Sequence, residues 1–270
     1  METVTVLMSV YNDKKYLRES LDSILSQTHQ NFEFLIIDDA SNDGSIKILE
    51  EYNEKDKRIK LIRNVENKGL SFNLNYGVLQ SKNEWIVRMD ADDVAFKDRI
   101  EKQLNFIKKN PDIDVLGSFV IDVDRYGQEI ELRKVPISHE KIANLIWTCP
   151  FIHPTVMLKR ESVIKAGSYN KDLKRRQDYD LWFRCHAFGL RFANIDEPLL
   201  YYRTTDEYFK KNNFKVQVQQ VKMGIRGAKM VKASPVAYVG ITVAFIKGIL
   251  PIRIRKQLNS VVKSFDPRRK

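Results

Sequence analysis

The sequence predicts an α/β fold with a mostly parallel central sheet flanked by helices. Four short apolar runs rich in β-branched residues alternate with helix-like segments in the first 90 residues. Polar residues follow directly where three of these runs end. Apolar residues make up 43% of the 270 residues and charged residues 30%, which excludes wholesale disorder, a collagen-like chain and a polytopic membrane protein.

The first predicted strand, Val4–Val10, is followed by a helix. Asn12 and Asp13 offer side chains that could cap this helix. Its apolar positions are Leu17, Leu21, Ile24 and Leu25. The N-terminus lacks the basic segment of a signal peptide, and the two cysteines, Cys149 and Cys185, are too few for a disulfide scaffold. Both features favour a cytoplasmic location.

A second predicted strand, residues 32–37, ends in Asp38 and Asp39. Turn-forming residues 40–44 separate it from another helix. The predicted inner face of that helix is Ile46, Leu49 and Tyr52. A third strand at residues 59–62, a helix at residues 70–78 and a fourth strand at residues 85–89 complete the alternation.

Parallel α/β sheets bind ligands beyond the carboxyl ends of their strands. Tyr11, the pair Asp38 and Asp39, and the segment 90–93 all fall at such ends. The sequence therefore predicts a ligand site at this edge.

Three carboxylates of the segment 90–93 are candidate metal ligands: Asp90, Asp92 and Asp93. Concentrated negative charge favours a hard divalent cation such as Mg²⁺ or Mn²⁺, which often joins carboxylates to substrate phosphates. The alternative is an exposed acidic turn that caps a helix beginning near Lys97. An EF-hand is disfavoured, because the required glycine and closing glutamate are missing.

Three other acidic or basic positions have both a functional and a structural interpretation. Asp39 could simply end a strand. Asp178 lies in the first turn of a predicted helix, where it could act as a cap. His153 precedes a proline and could be a loop or core residue. The buried face of the predicted helix comprises Leu181, Trp182 and Cys185.

In their order and spacing these segments resemble the inverting nucleotide-sugar glycosyltransferases of family 2, which have the GT-A fold. The resemblance covers roughly residues 3–203 and is closest to bacterial enzymes that build capsule, exopolysaccharide or O-antigen. The matching segments are residues 6–12, 36–45, 67–70 and 75–77, 90–93, 153–157, 178–182 and 202–203.

The resemblance implies a role for each matching residue. Tyr11 would stack on the base, and Asp39 would accept a hydrogen bond from uracil, which makes a UDP-sugar the expected donor. Ser9 and Asn67 would belong to the same nucleotide-sugar site. Asp90 would approach the ribose or the sugar. Asp178 corresponds to the catalytic base.

The resemblance also implies how the diphosphate is held. Asp92, together with Asp90 and Asp93, would hold Mn²⁺ or Mg²⁺ on it. His153 and Arg203 correspond to positions near the diphosphate or the acceptor. The sequence departs from the family pattern at Leu74, where an arginine is frequent, and at Thr205, where a histidine is frequent.

The implied reaction is inverting transfer of a hexose or N-acetylhexosamine from a UDP-sugar to a hydroxyl of a lipid-linked or oligosaccharide acceptor. One alternative is a sugar-1-phosphate nucleotidylyltransferase, but the glycine-rich, arginine-containing loop that cradles triphosphate in such enzymes is replaced here by residues 9–12. The other is a non-catalytic UDP-sugar-binding subunit. The sequence is also compatible with a homo-oligomer.

The net charge of +11 is unevenly distributed, because residues 1–209 carry −3 and residues 210–270 carry +14. We therefore predict a catalytic domain over residues 1–209 and a basic, helical C-terminal tail over residues 210–270. Two apolar stripes with helical spacing run through the tail. They are Phe214, Val218, Val221, Ile225 and Ala228, then Ile254, Leu258, Val261 and Phe265.

Apolar faces edged with lysine and arginine are typical of helices that lie in an anionic membrane surface. Peripheral attachment at the inner face of the plasma membrane is therefore expected. The uncharged residues 235–246 are too few to span a bilayer. Packing of the tail on the catalytic domain or on a second subunit is the alternative. Nucleic-acid binding is disfavoured, because aromatic residues are sparse among the basic ones.

Overall fold

A computed structural model describes residues 2–204, 214–249 and 268. Its strands are β1 (Val4–Val10), β2 (Phe32–Asp38), β3 (Ile59–Arg63), β4 (Trp85–Met89), β5 (Val94–Ala95), β6 (Val115–Val123), β7 (Glu129–Arg133), β8 (Met157–Lys159) and β9 (Phe192–Arg203). Its helices are α1 (Lys14–Leu25), α2 (Ser45–Lys55), α3 (Leu70–Gln80), α4 (Arg99–Lys109), α5 (His139–Asn144), α6 (Arg160–Lys165), α7 (Gln177–Ala187), α8 (Phe214–Met230) and α9 (Pro235–Ile249). Short 3₁₀ turns lie at Ile146–Thr148 and His153–Thr155.

All described strands belong to one sheet with the order β3-β2-β1-β4-β8-β6-β9-β5, and β7 pairs with β6. The half formed by β3, β2, β1 and β4 is parallel throughout, as the sequence predicts. The other half is mixed, since β8 runs antiparallel to β4 and β6 while β6 and β9 are parallel. The predicted α/β fold is confirmed, and antiparallel pairings of β8, β5 and β7 extend its parallel strands.

Strand periodicity explains why helices cover both faces of the sheet. In β1, Val4, Val6 and Met8 enter one buried cluster, whereas Leu7 enters the other. Successive side chains of a strand point to opposite faces, so a strand buried on both faces, such as β1, requires a core on each side. Because β1 is parallel to both β2 and β4, the carboxyl ends of these three strands emerge at the same edge.

The first helices differ in detail from the sequence prediction. In α1, Leu17, Leu21 and Ile24 are buried as expected, but Asp13 makes no side-chain capping bond. Asn12 instead accepts a hydrogen bond from the backbone N–H of Asn42 at 2.9 Å. Contacts with the next loop therefore replace the expected cap.

The inner face of α2 also differs. Ile48 and Leu49 are its buried apolar residues, and Ile46 is only half-buried. A helix predicted to begin near Lys97 begins at Arg99.

The apolar stripe predicted for α8 is only partly the packed face. Ala228 is buried, but Phe214 is 65% exposed and Ile225 is 45% exposed. The helix packs instead through Gly224 and Gly227, whose missing side chains make room for the hydroxyl of Tyr179 and the ring of Phe183 on α7. Small residues let the two helices approach more closely than an apolar stripe of larger side chains would allow.

The helix α9 packs on α8 and on the 146–148 turn. Ala237 and Ile241 are buried, and Gly240 lies directly against the ring of Trp147. The second predicted stripe, residues 254–265, lies outside the described residues, and the domain boundary at residue 209 stays a prediction. Among the helices that the structure describes, none is both long enough and apolar enough to cross a bilayer.

Replacing Gly227 by alanine tests the close packing of α8 on α7. In an open helix this change stabilises by about 0.5–1 kcal/mol, because glycine disfavours helices. Here the new methyl group would overlap the buried Phe183 ring. We expect a loss of about 1–3 kcal/mol, measured as a lower midpoint of thermal unfolding.

The matched control is Ile225→Ala, which trims a half-exposed side chain of the same helix. It should change stability by less than about 0.5 kcal/mol. A more stable Gly227→Ala protein, or a larger loss for Ile225→Ala, would contradict this packing.

Candidate active site at the carboxyl edge of the sheet

Asp39, directly after β2, is buried and anchors the loop that precedes α3. Its Oδ1 accepts hydrogen bonds from the backbone N–H of Lys68 and from Nδ2 of Asn64, and its Oδ2 accepts one from the backbone N–H of Gly69, all at 2.8 Å. Gly69 has a φ of +87°, a conformation that side chains disfavour. These three bonds use most of the roughly four lone-pair sites of the carboxylate, so Asp39 holds the loop firmly.

Three further predicted nucleotide contacts lie beside Asp39 or at the end of β1. Tyr11 is 48% exposed, so its ring can receive a stacking partner. Ser9 accepts a hydrogen bond from Nδ2 of Asn73 at 3.0 Å. Asn67 donates from its Nδ2 to the carbonyl of Asp39 at 3.4 Å. Their nucleotide contacts stay predictions.

An open depression adjoins this loop. Its volume is about 450 Å³, and it is lined by Ala40, Ser41, Arg63, Asn64 and Val65. Asn64, which lines this depression, also donates to Asp39, so the depression lies beside the anchored loop.

Asp90, Asp92 and Asp93 form a compact carboxylate cluster after β4. Each can present an oxygen within 4.8 Å of the other two. Burial, followed by repulsion from the charge of Asp90, raises the pKa of Asp92 to about 7. Burial and the neighbouring charges of Asp92 and Asp90 raise the pKa of Asp93 well above its usual value. The three carboxylates therefore repel one another, and the one ion pair that Asp90 makes with Arg88 compensates their charge only in part.

The donor set of this cluster fits a divalent cation. Asp93 is 1% exposed, and its Oδ1 accepts a hydrogen bond from the backbone N–H of Arg203 at 2.8 Å. Its Oδ2 has no hydrogen-bond partner among the described residues. Buried polar atoms nearly always have a partner, and hard cations prefer carboxylate oxygens.

Arg203 lies behind the carboxylate cluster. Its Nε donates to the carbonyl of Asp92 at 2.9 Å, and its Nη2 pairs with Glu19 at 2.7 Å. The guanidinium also stacks on the ring of Tyr16 at 4.3 Å. These contacts fix the turn that carries Asp92 and Asp93, and the predicted approach of Arg203 to the diphosphate stays a prediction.

Arg88, in β4, was not identified from the sequence. Its side chain is almost fully buried and pairs with Asp90 through Nη2. Its Nε and Nη1 have no hydrogen-bond partner among the described residues. The signal was a charged residue within an otherwise apolar strand, since a fully buried charge requires a partner.

His153 lies next to this ion pair. It is buried, and its Nε2 is 2.8 Å from the hydroxyl of Tyr169. Burial, and then the charge of Arg88, lowers the pKa of His153 well below its usual value. The imidazole is therefore neutral and suited to hydrogen bonding rather than to carrying charge.

One pocket of about 440 Å³ brings Asp90, His153 and Asp178 together. Asp178 enters it from the first turn of α7, whose apolar residues Leu181, Trp182 and Cys185 are buried as predicted. The cationic residues that line the pocket are Arg88, Arg133, Lys134, Lys174, Arg175, Arg176 and Arg268. This composition suits an anionic ligand beside two carboxylates.

The thiol of Cys149 contacts Asp178. Its Sγ donates to Oδ2 of Asp178 at 3.4 Å, and burial followed by the charge of that carboxylate raises the pKa of the thiol well above its usual value. The thiol therefore stays protonated and able to donate. The two residues are 29 positions apart, so the sequence carried no signal of the contact.

The chain is similar to glycosyltransferases of O-antigen and amylovoran biosynthesis. It is 36% identical over 216 residues to the O-antigen biosynthesis glycosyltransferase WbnJ of Escherichia coli, covering 78% of this chain and 84% of the relative. It is 28% identical over 239 residues to the amylovoran biosynthesis glycosyltransferase AmsE of Erwinia amylovora, covering 85% of this chain and 89% of the relative.

Two solved structures share the fold at 18% identity. Residues 1–349 of Staphylococcus aureus TarS in complex with UDP-GlcNAc superpose with a TM-score of 0.68, covering 93% of this chain and 82% of that one. The mannosyltransferase PcManGT of Pyrobaculum calidifontis, in complex with GDP-Man and Mn²⁺, gives 0.64, covering 96% and 79%. These likenesses show the GT-A fold that the sequence predicts.

Residues 5–200 match the family described as Glycosyl transferase family 2. With this match over most of the chain, and with the fold and the carboxylate-lined pocket in place, the protein belongs to glycosyltransferase family 2.

Proposed function

We propose that the protein transfers a hexose or N-acetylhexosamine from a UDP-sugar to a hydroxyl of a glycan acceptor, with inversion, in the synthesis of a bacterial surface polysaccharide. The observation that carries this proposal is the single pocket in which Asp178 and Asp90 both lie, next to a carboxylate cluster suited to a cation. Family membership favours sugar transfer over nucleotidyl transfer. The names of WbnJ and AmsE support a polysaccharide product.

The donor would lie along the carboxyl edge of the sheet. Tyr11 offers an exposed ring for the base, and Asp39 would accept a hydrogen bond from it. The UDP-GlcNAc bound in the TarS structure supports a UDP-sugar, although PcManGT binds GDP-Man. The choice of uracil therefore rests on Asp39.

The diphosphate would lie over Asp90, Asp92 and Asp93, which would hold Mn²⁺ or Mg²⁺. When bound, the cation supplies Lewis-acid stabilisation of the charge that develops on the leaving phosphate. Arg88 can add hydrogen bonds, because its Nε and Nη1 have no partner among the described residues and the side chain lines the pocket.

Asp178 would take the proton of the acceptor hydroxyl as the new bond forms. Such a base typically contributes about 10²- to 10⁴-fold to the rate. Cys149 donates to Oδ2 of this carboxylate, so Oδ1 is the oxygen left for the acceptor. Attack from the side opposite the leaving diphosphate inverts the anomeric carbon, and no covalent intermediate is required.

Replacing Asp178 and replacing Asp92 should each slow transfer strongly, but for different reasons. Asp178→Asn should lower the rate of UDP release with acceptor by about 10²- to 10⁴-fold while leaving Mn²⁺-dependent UDP binding within about threefold of wild type. Asp92→Asn should weaken Mn²⁺-dependent UDP binding itself. Calorimetry with UDP, with and without EDTA, separates the two effects.

The matched control is Asp180→Asn on the same helix. Asp180 pairs with Arg184 at 2.8 Å and does not line the pocket, so activity should stay within about threefold. Folded Asp178→Asn and Asp92→Asn proteins that release UDP as fast as wild type would refute the proposal.

We also propose that the protein is cytoplasmic and attaches peripherally to the inner face of the plasma membrane through its basic C-terminal region. The +14 charge of residues 210–270 supports this, since each basic residue near an anionic surface contributes about 1 kcal/mol. A lipid-linked acceptor would be held in the same membrane.

A fourfold charge substitution tests this attachment. Arg253→Gln, Arg255→Gln, Lys256→Gln and Lys263→Gln together should reduce co-sedimentation with phosphatidylglycerol vesicles by at least about tenfold at low salt. The charge-matched control replaces four cationic residues of the catalytic domain by glutamine, namely Lys47, Lys60, Lys108 and Lys109. Equal losses in the two variants, or none in the first, would contradict attachment through this region.

A further inference from the structure

A second cavity opens beside the candidate active site and has a different chemical character. Its volume is about 510 Å³, and it lies between the 146–148 turn, α8 and α9. Most of its lining is apolar. The apolar lining residues are Trp147, Val221, Val236, Val239, Ile241, Val243, Ala244 and Phe245.

The exposed valines of α9 line this cavity. Val236 is 68% exposed, Val239 is 64% exposed and Val243 is 55% exposed. They recur at spacings of three and four residues and so share one face of the helix. A contiguous apolar surface of this kind favours an apolar ligand.

The two cavities adjoin each other. Cys149, Arg176 and Arg268 line both of them. Arg176 immediately precedes α7 and is two positions from Asp178, while Arg268 donates to the carbonyl of Thr148 at 3.3 Å. Two guanidinium groups therefore mark the junction between a polar pocket and an apolar groove.

This arrangement matches the chemistry of an amphiphile with an anionic head. Guanidinium groups bind phosphate through paired N–H donors, and the apolar walls beyond them favour a hydrocarbon chain. A detached phosphate or sugar would use only the polar side of the junction.

We propose that this groove binds the hydrocarbon chain of a lipid-linked acceptor whose phosphate lies between Arg176 and Arg268. The inference rests on the proposed function, because it assigns the acceptor side of the same site. It places the hydrocarbon chain of the lipid against α8 and α9, and the acceptor hydroxyl toward Asp178.

The test compares farnesyl diphosphate with inorganic pyrophosphate as probes. Binding is measured by calorimetry on the full chain, with UDP saturating the donor side so that neither probe occupies it. The wild-type protein should bind farnesyl diphosphate at least about tenfold more tightly than pyrophosphate, because only the former buries apolar surface.

Filling the groove should remove this gain in affinity, which depends on the hydrocarbon chain of the probe and is called the chain-dependent gain below. Ala244 is exposed and lines the groove, so Ala244→Trp should bring the two affinities within about twofold while leaving pyrophosphate binding unchanged. Thr242→Trp is the matched control, because Thr242 is exposed on the same helix but does not line the groove, so the variant should preserve the difference in affinity. Val243→Ser, a smaller change, should reduce the gain about threefold and covers the case in which the tryptophan variant fails to fold.

Several results would overturn the proposal. One is a wild-type protein that binds the two probes equally, as expected if another part of the chain fills the groove. Another is an unchanged gain in folded Ala244→Trp and Val243→Ser proteins. A third is a concentration-dependent dimer that Ala244→Trp disrupts without any chain-dependent binding, which would assign the groove to a second copy.

Failure here is distinguishable from failure of the proposed function. Probe binding requires no turnover, and slow hydrolysis of a UDP-sugar should be unchanged within about twofold in Ala244→Trp. Loss of the chain-dependent gain with hydrolysis retained supports the groove alone, whereas an Asp178→Asn protein with full activity refutes the function whatever the probes do.

Discussion

The ion pair between the buried Arg88 and the partly exposed Asp90 is the interaction on which the rest of the site depends. Arg88 is nearly inaccessible to water, and its own backbone carbonyl accepts a hydrogen bond from Nη2 of Arg99 at 2.8 Å. Removing one partner of such a pair typically costs about 3–5 kcal/mol, because it leaves a buried charge without compensation. The end of β4 is therefore fixed, and the carboxylates that follow it are fixed with it.

The other functional groups are arranged around this pair. The charge of Arg88 helps to keep His153 neutral, and the backbone of Arg203 holds one oxygen of Asp93 so that the other stays without a described partner. Asp178 enters from a different helix into the same pocket. The carboxylate suited to take a proton and the cluster suited to a cation thus belong to separate elements that the sheet edge brings together.

Much of this could be predicted from the sequence, because the signals were local. The bounds of β1 and β4 follow from largely apolar runs, and the carboxyl-edge rule brings Asp39 and Asp90 to one edge. Contacts between distant residues could not be predicted. The bond from Arg203 to Asp93 joins positions 110 apart. The packing of α8 on α7 gave no signal either, because Gly224 and Gly227 pack without contributing to an apolar stripe.

The central claim is direct displacement, with Asp178 as base and the diphosphate leaving from the carboxylate cluster. Proton NMR of the first product formed from the UDP-sugar that the protein turns over tests it most directly, because a single displacement inverts the anomeric carbon. An α-linked donor should give a β-linked product from the earliest time points. A first product with the α configuration of the donor would contradict the claim, since it requires a second displacement that this arrangement does not provide.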